Sequence, residues 1–463
     1  MGVPDRALGR ALRFGTRVLR ERPRLLRGGP GEESVHLASC AVSFREVWFG
    51  CLSYGARAVA ATGARPQLDS FRMTKPRFLL GLMISAVPWG RAQSQAVTPV
   101  GPEATSCQPC HRTIVATFME TAHFRTSAEA IAGSIRGSFS EGHNVLRTGA
   151  RGIHFKMERR NGTFYETGVD SVRGRSRTER IDVVIGSGRR GQTYLYWRSG
   201  LLFELPVSYL TGPERWINSP GYPDGQIDFG RLIVPQCLDC HSTSFTLNAD
   251  RRAARYSHDY RLGISCEKCH GEGQEHVRYQ SSHPAETRAK FILNPARFSR
   301  DRKVDNCARC HSGERDPRRP PFSYRPGAKL DDYLAPPSAH DAPSPDVHGN
   351  QVGLLQRSKC FRSNPDMSCS TCHDVHQRQR DLTWFAQKCL ACHGTSKHRM
   401  ADQIGGRMMT SCVDCHMPNE ESKVIQISTS ARRLPLYFRS HAIGIYPEVS
   451  AMVLESSKQT ESR

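Results

Sequence analysis

The chain has 463 residues, with 65 Lys and Arg against 44 Asp and Glu, so its formal net charge is +21. Only 38% of the residues are hydrophobic, which leaves little hydrocarbon for a conventional core of this length. The composition excludes a multi-pass membrane protein, collagen and a sustained coiled coil, and the length excludes a small disulfide scaffold. The 17 cysteines therefore need a chemical explanation.

The first 72 residues contain 12 Arg, no Lys and 6 acidic residues, without a clear hydrophobic period. One interpretation is a basic arm or a cytoplasmic extension. The favoured interpretation of 1–72 is translation of upstream sequence with the true start at Met73, because a cleaved export signal works from the N-terminus.

An export signal is predicted over residues 73–96. A short basic segment begins at Met73, the 12 residues FLLGLMISAVPW follow, and Ser94-Gln95-Ala96 supplies the small residues of a cleavage site. We therefore expect a periplasmic or otherwise exported protein. The apolar run is too short for a typical spanning helix, although an uncleaved anchor stays open as an alternative.

Fourteen of the cysteines form seven Cys-x-x-Cys pairs, and a histidine follows every pair at once. This CxxCH pattern is the attachment signature of c-type haem, in which both thiols bind the porphyrin and the adjacent His becomes the proximal iron ligand. Zinc sites, redox dithiols and disulfides also use CxxC, but none of them requires a His after each pair. The pattern predicts seven covalently attached haem c groups. The motifs, numbered 1 to 7, are Cys107-Cys110-His111, Cys237-Cys240-His241, Cys266-Cys269-His270, Cys307-Cys310-His311, Cys369-Cys372-His373, Cys389-Cys392-His393 and Cys412-Cys415-His416.

The long stretch between motifs 1 and 2 has the pattern of β-structure. Hydrophobic and polar residues alternate over 153–158, and Asn161-Gly162 is a type I′ hairpin signal. We expect a small β-meander over about 150–210, followed by a Pro/Gly-rich linker. The sequence GSGRRG at 186–191 matches a dinucleotide-binding fingerprint, but a β-rich run follows it, so we expect a hairpin loop there.

The motif spacing also suggests a division of the chain. We expect a first haem segment over 97–150, a β-rich insertion and linker over 151–235, a six-haem domain over 236–445 and a tail over 446–463. Because haems at this density supply much of the hydrophobic core, the fold class we expect is mainly α and irregular, a multihaem cytochrome c with the small β-meander inserted between motifs 1 and 2.

Function depends on the second axial ligand of each iron. A six-coordinate iron with two His ligands exchanges single electrons without binding substrate, whereas an iron with an open position can do chemistry. His143 and His258 compete as weaker candidates, and His154 is the least favoured because it faces the polar side of a predicted strand. The favoured second ligands, chosen by their position relative to the motifs, are His123, His276, His348, His376, His398 and His441.

Several segments resemble known multihaem cytochromes c. SCEKCHGEGQEHV (265–277), MSCSTCHDVH (367–376) and SCVDCHMP (411–418) resemble the superfamily that holds pentahaem nitrite reductase, hydroxylamine oxidoreductase and its tetrahaem cytochrome partner. The resemblance implies haems packed in parallel and perpendicular pairs that form a wire. It also implies that His276 and His376, together with His441 in RSHAIG, are distal ligands.

The chain departs from the enzymes of that superfamily. All seven motifs end in His, so the CxxCK motif of the nitrite reductase catalytic haem is absent from the sequence. Nothing in the sequence identifies the Tyr-linked catalytic haem of hydroxylamine oxidoreductase.

Three functions remain open on this sequence, and a nucleic-acid partner is not expected for any of them. The favoured function is a periplasmic electron carrier between redox proteins, with a membrane quinol-linked complex as a candidate partner. The second is an oxidoreductase acting on nitrite, hydroxylamine or a sulfur oxyanion at one open haem. The third is a subunit whose β segment docks a membrane or a redox partner.

Overall fold

The computed structural model describes residues 106–248, 254–337, 350–379, 381–394, 398–422, 427–428 and 433–461. The predicted extension (1–72), the predicted export signal (73–96) and the candidate ligand His348 lie outside this part of the chain. The division into domains expected from the motif spacing stays a prediction.

The strands of the described residues begin soon after motif 1 and continue to the C-terminal region. In chain order they are β1 (Ser127–Glu129), β2 (Val145–Arg147), β3 (Ile153–Arg160), β4 (Thr163–Asp170), β5 (Arg175–Arg180), β6 (Val183–Ile185), β7 (Gly191–Arg198), β8 (Leu201–Glu204), β9 (Val207–Leu210), β10 (Arg215–Asn218), β11 (Ser242–Leu247), β12 (Tyr256–Leu262), β13 (Asn419–Glu421), β14 (Ile427–Ser428), β15 (Arg433–Leu434) and β16 (Tyr437–Arg439).

One antiparallel sheet of four strands has the order β2-β3-β4-β5. Strands β3 and β4 pair along their whole length, from Ile153 opposite Asp170 to Arg160 opposite Thr163. The predicted hairpin turn between them is confirmed. Asn161 and Gly162 both have positive φ, 50° and 83°, as a type I′ turn requires.

A second sheet of six strands has the order β1-β6-β7-β9-β10, with β8 paired to β7. The GSGRRG sequence joins β6 to β7, and these two strands pair antiparallel. The sequence is therefore a hairpin loop, as predicted, because no helix follows it.

The two sheets share one apolar core. Phe155 and Phe164 of the first sheet and Tyr194, Val207 and Trp216 of the second belong to the same buried cluster. The alternation of apolar and polar residues along the strands turns one side of each sheet toward this cluster. The β-rich region therefore has a hydrophobic core of its own.

The remaining described residues form short helices around the CxxCH motifs. In chain order the helices are α1 (Arg112–Phe118), α2 (Pro235–His241), α3 (Glu267–His270), α4 (Gln274–Ser282), α5 (Arg300–His311), α6 (Gln351–Gln356), α7 (Lys359–Ser363), α8 (Cys369–Cys372), α9 (Leu382–Leu390), α10 (Ala401–Ile404), α11 (Cys412–His416) and α12 (Pro447–Glu461), with 3-10 turns at Pro295–Arg297, Leu330–Asp332 and Gly405–Met409.

The expectation of a mainly α and irregular chain holds only in part, because several antiparallel sheets accompany the helices. Strands extend beyond the predicted meander: β1 and β2 precede it, and the β11–β12 hairpin lies between motifs 2 and 3. The short strands β1 and β2 carry no long alternating pattern. They form because β1 pairs with β6 and β2 pairs with β3.

In the part of the chain that the structure describes, none of the helices combines the length and the apolar character needed to cross a membrane.

Replacing Trp216 with Ala should lower the free energy of unfolding of the β-rich region by about 3–5 kcal/mol. The Trp216 side chain is 5% exposed, and its indole N–H donates to the carbonyls of Ser138 and His143, at 3.1 and 3.0 Å. Urea denaturation followed by far-UV circular dichroism measures the change. Tyr437→Ala is the aromatic control, since Tyr437 is 51% exposed, and a loss as large in the control would contradict the prediction.

Stability should fall with rising pH because of Glu166, which is fully buried. Burial raises the pKa of Glu166 well above its ordinary value of 4.5, and the charge of Glu204 adds to this, although the Val207 backbone N–H opposes it. The folded protein therefore holds a proton that the unfolded chain releases above that ordinary value, which penalises folding as the pH rises.

Glu166→Gln keeps the shape of the side chain but removes its ionisable group, so the free energy of unfolding of the variant should depend less on pH. We expect the urea midpoint of the variant to exceed that of the parent chain at about pH 8, and the difference to shrink at about pH 5. Equal midpoint differences at both pH values would show that Glu166 does not titrate in this way.

Candidate cofactor site

Each CxxCH motif folds as a single helical turn or lies at the end of a helix. The backbone N–H of the motif histidine donates to the carbonyl of the first cysteine at 2.9 Å in motifs 1, 3, 5 and 6. One turn brings side chains three and four positions apart to the same face of the backbone. The two thiols and the imidazole of a motif are thereby placed to hold one flat group.

The motif cysteines of the described chain are all free thiols, without a disulfide. Among the same residues, no group of three or more His, Cys, Asp or Glu side chains converges as it would around a directly bound metal ion. The histidines instead form pairs, in which one ring belongs to a motif and the other comes from a different part of the chain.

Five of these ring pairs have nearly the same spacing. The distance between ring centroids is 6.4 Å for His111–His276, 6.0 Å for His123–His311, 6.1 Å for His270–His376, 6.1 Å for His373–His441 and 6.1 Å for His398–His416. In direct ring stacking the planes lie much closer, so these rings face each other across a gap.

The gap has the size of a metal ion held by both rings. An imidazole nitrogen lies about 2.0 Å from a first-row metal and about 1.1 Å from its own ring centre, so two opposed imidazoles have ring centres about 6.2 Å apart. The five measured distances lie within 0.2 Å of this figure. Residues of this chemistry, beside a pair of thiols, fit an iron porphyrin attached through CxxCH.

Hydrogen bonds fix the orientation of several rings. The Nδ1 atoms of His270, His276 and His416 lie 2.8, 2.8 and 2.7 Å from backbone carbonyl oxygens. In each case Nδ1 carries the proton that it donates, so Nε2 keeps the lone pair that a metal needs. This arrangement favours the tautomer that a metal ligand needs.

Burial favours the neutral form of five of the paired histidines. Desolvation by the surrounding chain lowers the pKa of His311 and of His441 to about 4, with smaller contributions from neighbouring histidines. Desolvation also lowers the pKa of His123, His270 and His373. Only the neutral imidazole binds a metal, so the lowered pKa values suit a ligand.

The loop that carries His123 is anchored on motif 2. Thr126 Oγ1 lies 3.0 Å from Nδ1 of His241, and the Ser127 hydroxyl donates to the His241 carbonyl at 2.6 Å. Gly263 closes on this loop with a φ of 68°, and a Cβ there would lie 2.2 Å from the Phe124 carbonyl oxygen. Only glycine fits at that position. The position of Thr126 was not predictable from the sequence, because an isolated Thr carries no metal-site pattern.

The motifs lie next to one another in an order that differs from their order in the sequence. Three pairs of thiols from different motifs lie close enough to shift a pKa: the Cys266 thiol lowers the pKa of Cys107, the Cys310 thiol raises that of Cys240, and the Cys369 thiol raises that of Cys307. They therefore join motif 1 to motif 3, motif 2 to motif 4 and motif 4 to motif 5.

Electrostatic contacts between cysteines extend this order of neighbours. Cys269 interacts with Cys310, which joins motif 3 to motif 4. Burial raises the pKa of Cys389 to about 11, and the nearby thiols of Cys412 and Cys372 add to this, which places motif 6 beside motifs 7 and 5. The motifs thus follow each other in the order 1-3-4-5-6-7, with motif 2 beside motif 4.

The structure pairs five of the six favoured second ligands with motif histidines. His123, His276, His376, His398 and His441 each face a motif histidine, and none of them serves the motif that precedes it in the sequence, because each loop folds over a neighbouring motif. His143, His154 and His283 make no ring contact with a motif histidine in the described part of the chain.

Comparison with known proteins gives one family match. The family model described as cytochrome c554 and c-prime matches residues 225–271, a segment that contains motifs 2 and 3. No curated protein matches the chain. A match across two CxxCH motifs supports a multihaem c-type cytochrome with haem c as its cofactor.

Solved structures give two distant similarities. The outer cell wall cytochrome OcwA is 15% identical, with 76% of this chain and 81% of that chain covered and a TM-score of 0.47. The undecahaem cytochrome from the S-layer of Carboxydothermus ferrireducens is 14% identical, with 78% of this chain and 61% of that chain covered and a TM-score of 0.33.

Proposed function

We propose that this chain is an exported heptahaem c-type cytochrome that carries single electrons between redox partners. The observation that carries the proposal is the set of five histidine pairs with ring centroids 6.0–6.4 Å apart. An iron with two imidazole ligands has no position for a substrate, so its chemistry is limited to gaining and losing an electron.

The cysteines and histidines of each site have separate roles. Haem c, when bound, supplies a one-electron redox centre. The motif cysteines would hold it through two thioether bonds, and in five motifs the motif histidine and the histidine that faces it would ligate the iron. The Nδ1 hydrogen bonds of rings such as His270 and His276 fix the ligand orientation and raise its basicity, which tunes the potential.

The order of neighbouring motifs supports transfer through the protein. Each motif has a cysteine that lies near a cysteine of another motif, close enough for one thiol to shift the pKa of the other. Electrons entering at motif 1 or motif 7 have an unbroken series of neighbours to follow. Redox proteins outside the membrane, or a quinol-linked membrane complex, are the partners that such a chain would serve.

The haem content and spin state of the purified, oxidised holoprotein test this proposal. Pyridine haemochrome analysis should give seven haems per chain, and electron paramagnetic resonance should show mainly low-spin iron. Fewer than five low-spin haems would contradict the ligation by histidine pairs. An apoprotein that binds zinc through its CxxC pairs would overturn the proposal entirely.

A second candidate function rests on motif 6. His393 is exposed, and no other histidine ring contacts it within the described residues. An iron held only by His393 would have an open position for nitrite, hydroxylamine or a sulfur oxyanion. A high-spin signal of about one haem per chain that nitrite or hydroxylamine converts to low spin would support this function. Seven low-spin haems would reject it.

His376→Ala tests the pairing between motifs. Since the His376 ring faces His270, the variant should open the iron of motif 3 and not that of motif 5, which immediately precedes His376 in the sequence. We expect a new high-spin signal of about one haem per chain. The covalent haem count should not change, because every CxxCH is intact.

His283→Ala is the control for this variant. The His283 ring is exposed and stacks on Tyr279, with 4.2 Å between centroids, so its removal should leave the spin state unchanged. An unchanged spin state in His376→Ala, or an equal change in the control, would show that the pairing is wrong.

A further inference from the structure

Four CxxCH motifs carry a charged residue immediately before their second cysteine, and the side chains of three of them meet. These three are Asp239 in motif 2, Lys268 in motif 3 and Arg309 in motif 4. Lys268 Nζ lies 2.8 Å from Oδ1 of Asp239, and Arg309 Nη2 lies 3.1 Å from the same oxygen. One carboxylate therefore joins three attachment turns, two of which contribute cations.

The cluster is largely removed from solvent. The side chains of Lys268 and Arg309 are 6% and 8% exposed, and that of Asp239 is 24% exposed. Arg309 Nη1 also donates to the Lys268 carbonyl at 3.2 Å, and Lys268 Nζ donates to the Thr243 carbonyl at 3.2 Å. Neutral carbonyls satisfy these donors without cancelling their charge.

Aromatic rings complete the surroundings of both cations. Lys268 Nζ lies 4.9 Å from the ring centroid of Phe322, and the Arg309 guanidinium carbon lies 5.0 Å from that of Tyr324. A ring face stabilises a cation through its quadrupole and adds no negative charge.

Two cations and one carboxylate leave one positive charge in excess. Motif 7 offers a contrast, because Asp414 occupies the same position and pairs with a single cation, Arg439, at 2.8 Å. Those side chains are 36% and 26% exposed, so this pair is balanced and partly solvated. An uncompensated charge in a buried place acts over a longer range than one in water.

We propose that Asp239, Lys268 and Arg309 form an electrostatic clamp that raises the reduction potentials of the haems at motifs 2, 3 and 4. Reduction adds a negative charge to a haem, so a nearby buried positive charge favours the reduced state. Motif 4 also lies beside motif 5, where Cys307 is close to Cys369. The clamp therefore includes the motif that has three neighbouring motifs. This inference rests on the proposed function. It adds that electrons reside preferentially on the haems of motifs 2, 3 and 4.

Charge substitutions test the clamp, because removing its anion and removing one of its cations should shift the reduction potentials in opposite directions. Asp239→Asn raises the local charge and should raise the midpoint potentials of a subset of the haems. Lys268→Gln removes one cation and should lower them. The double variant D239N/K268Q restores the net charge while both native contacts are altered, so its potentials should return toward those of the parent chain.

The measurement is a spectroelectrochemical titration of the purified holoprotein, with haem counted by pyridine haemochrome in every variant. Asp170→Asn is the matched control, because Asp170 pairs with Arg173 in the β-rich region, and its titration curve should match that of the parent chain. The proposal would be overturned if the midpoint potentials shifted in the same direction in both single variants, or if those of the double variant did not return toward the parent values. The cluster would then be a structural contact only.

Arg309 supplies an independent pair of variants should Asp239→Asn fail to accumulate with haem. Arg309→Gln should lower the potentials, and Arg309→Lys, which keeps the charge, should leave them close to the parent values. Equal shifts in these two variants would overturn the clamp. A parent chain without covalent haem would instead contradict the proposed function, so the two failures are distinguishable.

Discussion

The spacing between facing imidazoles is the constraint on which the cytochrome part of this chain depends. Each pair joins residues that are distant in sequence, such as His123 with His311 and His270 with His376, across a gap of nearly constant width. In the proposed holoprotein, a metal ion with two imidazole ligands would set this gap. In the proposed holoprotein, cofactor attachment and chain folding are therefore one process, as in other proteins whose metal site forms only in the folded state.

This constraint accounts for the contrast between the two parts of the chain. The β-rich region packs two sheets around Phe155, Tyr194, Trp216 and other buried side chains, so it carries its own apolar core. Around the motifs the described helices are short, and the buried cluster near Val304 and Leu355 is small. Around the motifs, flat covalent groups would take the place of much of the buried hydrocarbon.

The sequence was informative wherever chemistry requires residues at short, fixed spacing. The CxxCH motifs and the Asn161-Gly162 turn are local patterns of this kind, and so is the rejection of GSGRRG as a nucleotide site. Which histidine faces which motif was not predictable, because His276 and His376 sit near one motif in sequence and cap another in space. The short strand β1 was missed for a related reason, since its partner β6 lies more than fifty residues away.

The crossed pairing of histidines has a consequence for how such a protein would be assembled during export. If the chain emerges from its N-terminus, the first motif meets its second ligand only after residue 276 has crossed, and motif 5 waits for residue 441. Motifs 4 and 7 find their ligands, His123 and His398, already outside. Irons with a single histidine ligand would then exist transiently until the later segments arrive.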